Sequence, residues 1–509
     1  MPLLRKPILK PIVGLNYMDP STMLNDRGGF PKNIRLSRND LRKREGKSLF
    51  QTSPIIPGTA INHICQYPLA SQSIRLIRFS RTTAEKYNNT LGIWTDITGA
   101  DFGGADTDFY STVTAENKLL IANYVNNTRQ YNDAGVTTDI VASSGTVPKA
   151  KFLEYNKGYL LAAYVDILGA SYPTRVSWSD TGDITDWGSG NAGSTYLYHD
   201  PLPIRGMKNL NEFTVVYKKN SIYNGRTVDT SDIFIFDQAY SGIGLSAGRA
   251  LVDYQGTHYF MGTDDFYLYR GVRPESIASD TVKREVFGRL DGTQTNKSFA
   301  LLVQDLDEVW FFVVISGNTW PTEIWKFNYR TGFWYFDTCS ETSAAGLYTT
   351  ASSIIWNDLI GTWNDQTFRW DDAFTTTDAP IYLLGDTAGN VLKYDTLVND
   401  DNNVAIDAEW QSMDFTADKF EYYKRWLQLD FEAKGVSVDI AYSIDYGNTW
   451  TSIKTNYTLT PSWPNKMYRV YFDIVARNIR FRFRNNRLGE TFYLRQFYPY
   501  YLDREEANT

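Results

Sequence analysis

Residues 242–277 read GIGLSAGRALVDYQGTHYFMGTDDFYLYRGVRPESI, and their alternation of short apolar runs with turn residues decides the fold. Residues 250–253 predict a strand, Gln255 and Gly256 a reversal, and 258–261 a strand running back. Gly262, Thr263, Asp264 and Asp265 turn the chain again, 266–270 predict a third strand, and Gly271 and Pro274 end it. Glycine reaches the positive φ of tight turns, and Asp caps a turn with its own carboxylate. Tyr, Phe, Leu and Val fill the strand positions, as a pleated surface favours. Nothing between the turns has a helical period. A meander this short cannot bury both faces alone; repeated about an axis, it makes a β-propeller.

The same texture recurs on both sides. Strand clusters occupy 59–100, 107–141, 150–190 and 203–238 before the quoted stretch, and 298–338 and 344–394 after it. Their spacing of roughly 35–50 residues is that of propeller blades, and the count predicts six or seven blades over 51–397. Within the last cluster Trp356, Trp363 and Trp370 recur, each followed by Asn-Asp or Asp-Asp. Gly361 and those pairs argue for a loop rather than a helix seam. Its tryptophans are either packing plugs or a sugar-stacking surface.

A chain of 509 residues buries a large core without staples, and its two cysteines, Cys65 and Cys339, encode neither a disulfide framework nor a zinc site. Charges and prolines break every apolar run near the start, so the expectation is a soluble protein made in a reducing cytoplasm, with no membrane insertion. Net charge is −7, unevenly placed. Residues 1–50 hold eleven Lys/Arg against four Asp/Glu, +7, which leaves −14 for the rest. Such a basic arm reads as a docking segment or as a solvated loop.

After an acidic linker at 398–404 the strands lengthen. Val436, Val438, Ile440 and Tyr442 face one way, and Tyr468, Val470, Phe472 and Ile474 repeat the pattern. Ile479, Phe481 and Phe483 alternate with Arg480, Arg482 and Arg484, which predicts three guanidinium groups on one exposed strand face. The reading is a C-terminal β-sandwich over 398–509. Three like charges at period two leave three roles open: a solvated face, a subunit or adaptor contact, or, least favoured, a DNA contact. The arm, 1–50, is expected to join the sandwich in one platform, with the propeller as a lateral body.

Catalytic chemistry is sparse. His63, His199 and His258 lie in different clusters, with no nucleophile pairing, phosphate loop or metal spacing, so no enzyme activity and no cofactor is expected. A carboxylate-pair glycosidase stays open, because its two acids need not be neighbours in sequence. Ser443, Asp445, Gly447, Thr449 and Trp450 match the Asp-box of sialidase propellers, S-x-D-x-G-x-T-W, with a degenerate cousin at 177–187. Its residues suit a hairpin turn: Asp bonds the turn backbone, Gly takes positive φ and Trp packs beneath, a structural role.

Taken in order, the chain resembles the tail hub or nozzle proteins of short-tailed bacteriophages, including the tail tubular, packaged-DNA stabilisation type. The resemblance runs through Asn33 and Leu41-Arg42-Lys43-Arg44-Glu45-Gly46, the segment 213–222, and the glycine pattern of 242–277. It continues through Trp325-Lys-Phe-Asn-Tyr-Arg-Thr-Gly-Phe-Trp334 and closes at Ser443-x-Asp445-x-Gly447 and Arg480-Phe-Arg482-Phe. It implies a virion protein assembled in the host cytoplasm, forming a ring, a homohexamer, below the portal and adaptor. Tail fibre or needle proteins would lie beside or below it, and double-stranded DNA would pass through on ejection. Arg42, Lys43, Arg44, Arg480, Arg482 and Arg484 are then the candidate subunit or adaptor contacts. A glycan-binding or sialidase-like virion propeller is the alternative, and an unrelated cytoplasmic scaffold a third.

Overall fold

The computed structural model describes residues 4–5, 29–36, 40–56, 58–71, 73–89, 91–228, 233–349, 380–416, 422–464 and 466–503. The quoted stretch forms a blade of four strands rather than three: Leu251–Tyr254, Thr257–Met261, Phe266–Tyr269 and Glu275–Ser276. Gln255 and Gly256 both take positive φ, 48° and 70°, the geometry that matches a two-residue turn to the twist of its strands. The fourth strand follows Pro274 and is only two residues long, too short for a periodicity to announce it.

Seven such antiparallel sheets follow one another, at 63–96, 111–139, 149–196, 204–241, 251–276, 299–338 and 342–395. We number the blades 1 to 7 in that order. The first strands of successive blades touch, and Thr342–Tyr348 of blade 7 meets His63–Pro68 of blade 1, so the ring is closed. Each gap between neighbouring blades holds its own apolar core. Between blades 5 and 6, for example, Phe266 and Met261 meet Phe311, Trp325 and Trp334. The one α-helix among the described residues, Asp280–Phe287, is capped by Ser279 and turns Val282 and Val286 into that same core. Residues 350–379, with Trp356, Trp363 and Trp370, lie outside the described residues.

Blade 7 is completed from the other end of the chain. Its strands Thr342–Tyr348, Ile381–Asp386 and Val391–Asp395 accept Gly46–Gln51 as the outermost, with Leu392 opposite Leu49 and Asp395 opposite Gly46. The arm therefore does not end as a unit at position 50: residues 46–51 belong to the propeller. Blade 7 is thus shared between two distant segments, and the hydrogen bonds between Gly46–Gln51 and Val391–Asp395 hold the ring closed.

The rest of the described arm enters the sandwich. Gly29–Lys32 pairs with Ala408–Ser412 at the edge of one sheet, which continues through Arg480–Asn485, Ser437–Ser443 and Thr451–Thr458. Ile34–Leu36 and Leu41–Lys43 extend the facing sheet, followed by Phe492–Asp503, Lys424–Gly435 and Tyr468–Ala476. Trp410, Phe431, Phe483 and Phe497 interlock between the two sheets. The alternation read from sequence holds where it was sharpest: Ile479, Phe481 and Phe483 are fully buried.

Candidate functional site

Two segments singled out in the sequence, Asn33 and Leu41 to Gly46, meet at the seam between propeller and sandwich. Asn33, in the left-handed region at φ 54°, donates its backbone N–H to Phe336 O at 3.0 Å. Its side chain donates to Thr338 Oγ1 at 2.8 Å and to Asp407 O at 2.9 Å. Arg44 is buried beside it and engages all five of its N–H groups. Nε donates to Asn33 Oδ1 at 3.1 Å, Nη1 to Glu45 O at 3.0 Å and Asp401 Oδ1 at 2.9 Å, and Nη2 to Asp401 Oδ2 at 2.6 Å and Thr338 O at 3.0 Å. Burial opposes both charges, yet the paired hydrogen bonds outweigh it, holding Asp401 below the usual carboxylate range and Arg44 above the usual guanidinium range. Gly46 follows because a Cβ there would sit 1.9 Å from Asp400 O.

These positions are not free to dock on a neighbour, which corrects the sequence expectation for two of the three. Lys43 is buried, donating to Asn485 Oδ1 at 3.0 Å and Arg487 O at 3.2 Å. Burial, reinforced by the adjacent Arg44, pulls its pKa down to about 8. Arg42 alone keeps a third of its side chain in solvent, and it pairs with Glu45 at 2.5 Å. Part of the charge asymmetry is answered internally: among the described residues Lys32 and Arg44 lie on Asp407 and Asp401, while Arg35 and Arg42 pair with Glu45 of the arm itself.

The arginine face needs the same correction. Arg480 is buried, and its Nε and Nη2 make a two-pronged pair with Asp414 at 3.0 and 2.6 Å. Arg482 lies 3.5 Å from Glu409 and stacks 4.6 Å over the Trp450 ring. Arg484 donates to Asp407 at 2.6 Å. The acids come from the neighbouring strand Ala408–Ser412 and its flanks, so a period-two row of like charges is matched across the ladder. The sequence signal was real, but its partner lay about seventy residues away.

The Asp-box is a turn. Asp445 accepts Thr449 N–H at 2.9 Å and Thr449 Oγ1 at 2.6 Å, and Ser443 Oγ accepts Gly447 N–H at 2.9 Å while donating to Asp445 at 2.6 Å. Those bonds, led by the Ser443 hydroxyl, pull the Asp445 pKa down to about 2. Both carboxylate oxygens are committed to the hairpin that joins Ser437–Ser443 to Thr451–Thr458.

Two further features were not legible as motifs. Tyr468–Ala476 is the outer strand of its sheet, with Tyr471 68% exposed and Val475 and Tyr423 also uncovered. At the centre of the propeller, the first strands of all seven blades line one cavity of about 470 Å³, through residues such as His63, Ser111, Lys151, Lys208, Phe299 and Ala344. Phe109, Phe152 and Arg249 fill its walls, and a space of that size takes a small molecule, not a nucleic-acid duplex. The Lys and Arg side chains among its lining residues come from two strands and the approach to a third, with no spacing between them for a motif to capture.

No protein-family model and no curated protein matches the sequence. Among solved structures, YCF48 from Cyanidioschyzon merolae is similar over 67% of this chain and 97% of its own, at 9% identity and a TM-score of 0.37. A likeness so loose carries no argument, and the fold stands on the seven closed sheets themselves.

Proposed function

We propose that this protein is a structural subunit of the tail hub or nozzle of a short-tailed bacteriophage, forming a ring that prolongs the DNA channel below the portal and adaptor. The observation that carries the reading is the construction of the chain. The described N-terminal strands are one of the propeller and four of the sandwich, Leu4–Arg5 on Phe492–Asp503 among them, which fixes a closed lateral body to a second domain with an edge strand. Among the described residues the outer strand Tyr468–Ala476 is paired along one side only, beside exposed Tyr471 and Val475, a surface that an adjoining subunit would cover. Because the axial cavity of the propeller is too small for a duplex, the bore of such a ring runs between subunits. The Asp-box lends the glycan-cleaving alternative no support, since its carboxylate is used up within the turn, and the role proposed is non-catalytic.

Imaging of the purified chain, or of its parent particle, tests the proposal. A six-fold ring with an axial hole is expected. Tyr471→Asp combined with Val475→Lys should leave folded monomers that fail to assemble. Wild-type protein that stays monomeric at every concentration and is missing from particles would sink the reading.

A further inference from the structure

We infer that the axial cavity of the propeller binds a small molecule carrying an oxyanion, a carboxylate or a phosphate, on a body about the size of a monosaccharide. This goes beyond the conduit reading and stands without it. Lys151, Arg205, Lys208 and Arg249 line the cavity against one carboxylate, Glu154. The chain as a whole carries more acids than bases, 58 to 51, so this concentration of cations runs against its composition.

Arg249 is the centre of the site. It donates to Ser343 O at 2.9 Å and Asn62 O at 3.3 Å through Nη1, and to Lys297 O at 3.0 Å through Nη2. Of its five N–H groups, Nε and one on Nη2 have no partner among the described residues. The guanidinium lies 3.5 Å from the centre of the Phe109 ring and 5.1 Å from that of Phe299. Burial with no carboxylate in contact pulls its pKa down to about 9, which leaves it charged at neutral pH. Backbone carbonyls aim a guanidinium but do not neutralise it, and a cation held this way is a preorganised half of an ion pair. Arg205, on the first strand of blade 4, makes no side-chain hydrogen bond or ion pair among the described residues, and its Nε is likewise without a partner. Two arginines from separate parts of the ring thus face one cavity, and neither is paired with its one acid, Glu154, which lies 3.9 Å from Lys208.

The remaining lining suits a polar body on the anion. About 470 Å³ lies within the range of small-molecule sites. Phe152 and Leu251 give apolar wall, while Asn296 Oδ1, buried without a donor, and Glu154 supply acceptors for hydroxyl groups. His63 is kept neutral by burial, and by Arg249 and Lys208 behind that, with a pKa of about 3, so it adds no charge.

Calorimetric titration and thermal melting of the full chain with inorganic phosphate, glucuronate and glucose test the assignment. Binding and a raised Tm are expected with at least one anion and not with glucose; phosphate alone identifies a phosphate group, glucuronate alone a sugar carboxylate. Arg205→Gln should weaken that binding by about tenfold or more, the loss of one charged hydrogen bond, and Arg249→Gln should remove it. If Arg249→Gln does not fold, Arg205→Gln carries the test, since no hydrogen bond depends on its side chain. Failure of both anions to bind, equal binding to Arg205→Gln, or glucose binding as tightly as the anions would overturn the inference.

Discussion

Arg44 at the seam and Arg249 at the propeller axis are both arginines ringed by protein, and their surroundings differ in one respect. Arg44 meets Asp401 with two prongs and distributes its other three N–H groups over Asn33, Glu45 and Thr338. Arg249 meets three carbonyls and no acid. A buried ion pair whose hydrogen bonds are complete is a fastener: it adds little net energy over an apolar contact, but breaking half of it is severe. A guanidinium oriented by neutral dipoles keeps its charge available. Burial of a cation is therefore not a sign of function or of structure until its partners are known.

The largest effect expected is at the fastener. Arg44→Met strands Asp401 in the seam and should cost about 3–5 kcal/mol, read as a fall in the urea midpoint. A loss below about 1 kcal/mol would place Arg44 with the surface pairs and erase the contrast. Next comes pH. The folded-state pKa of Lys43, about 8, lies below its ordinary 10.5, so between those values the unfolded chain binds more protons and stability rises with pH. Lys43→Met lacks that contribution, and its urea midpoints should climb less than those of the wild type from about pH 8 to about pH 10. Parallel profiles would show that the seam does not penalise this ammonium.

Smaller changes separate turn geometry from charge. Gly447 sits at φ 91° with its missing Cβ 2.8 Å from Arg480 Nη1, so Gly447→Ala should cost about 1 kcal/mol or more in thermal melts. Asp445→Ala should lower Tm less, its carboxylate being only half-buried in the same turn. The smallest effect expected is at the axis: Arg205→Gln, with no bond to lose, should change stability by no more than about 0.5 kcal/mol. A cost close to that of Arg44→Met would make the axial cations structural and remove the basis for a ligand there.

Much of the fold was legible because it is written at short range. The two-residue turn at Gln255 and Gly256, the buried Ile479, Phe481 and Phe483 and the Asp-box hairpin all follow from periods of two and from turn chemistry within about ten residues. The two-residue fourth strand of blade 5 escaped, being shorter than any period. The site was far less legible. Arg480, Arg482 and Arg484 were correctly placed as a row but not as exposed, because the acids that answer them stand on a strand that pairs only after the sandwich has formed.

Taken by itself, the sequence determined a repeated unit of short antiparallel strands and an alternating sandwich, since hydrophobic period and turn residues act between near neighbours. It also determined that bases crowd the N-terminal arm and acids the remainder. Only the tertiary structure decided that the ring has seven blades, because its last strand, Gly46–Gln51, arrives from more than 340 residues away along the chain. It also decided which cations are answered. Arg44 finds its acid 357 residues on, while the guanidinium of Arg249 is held by carbonyls 187, 94 and 48 residues away. A charge is paired or left open by what ring closure sets beside it, and closure joins positions that no local pattern connects.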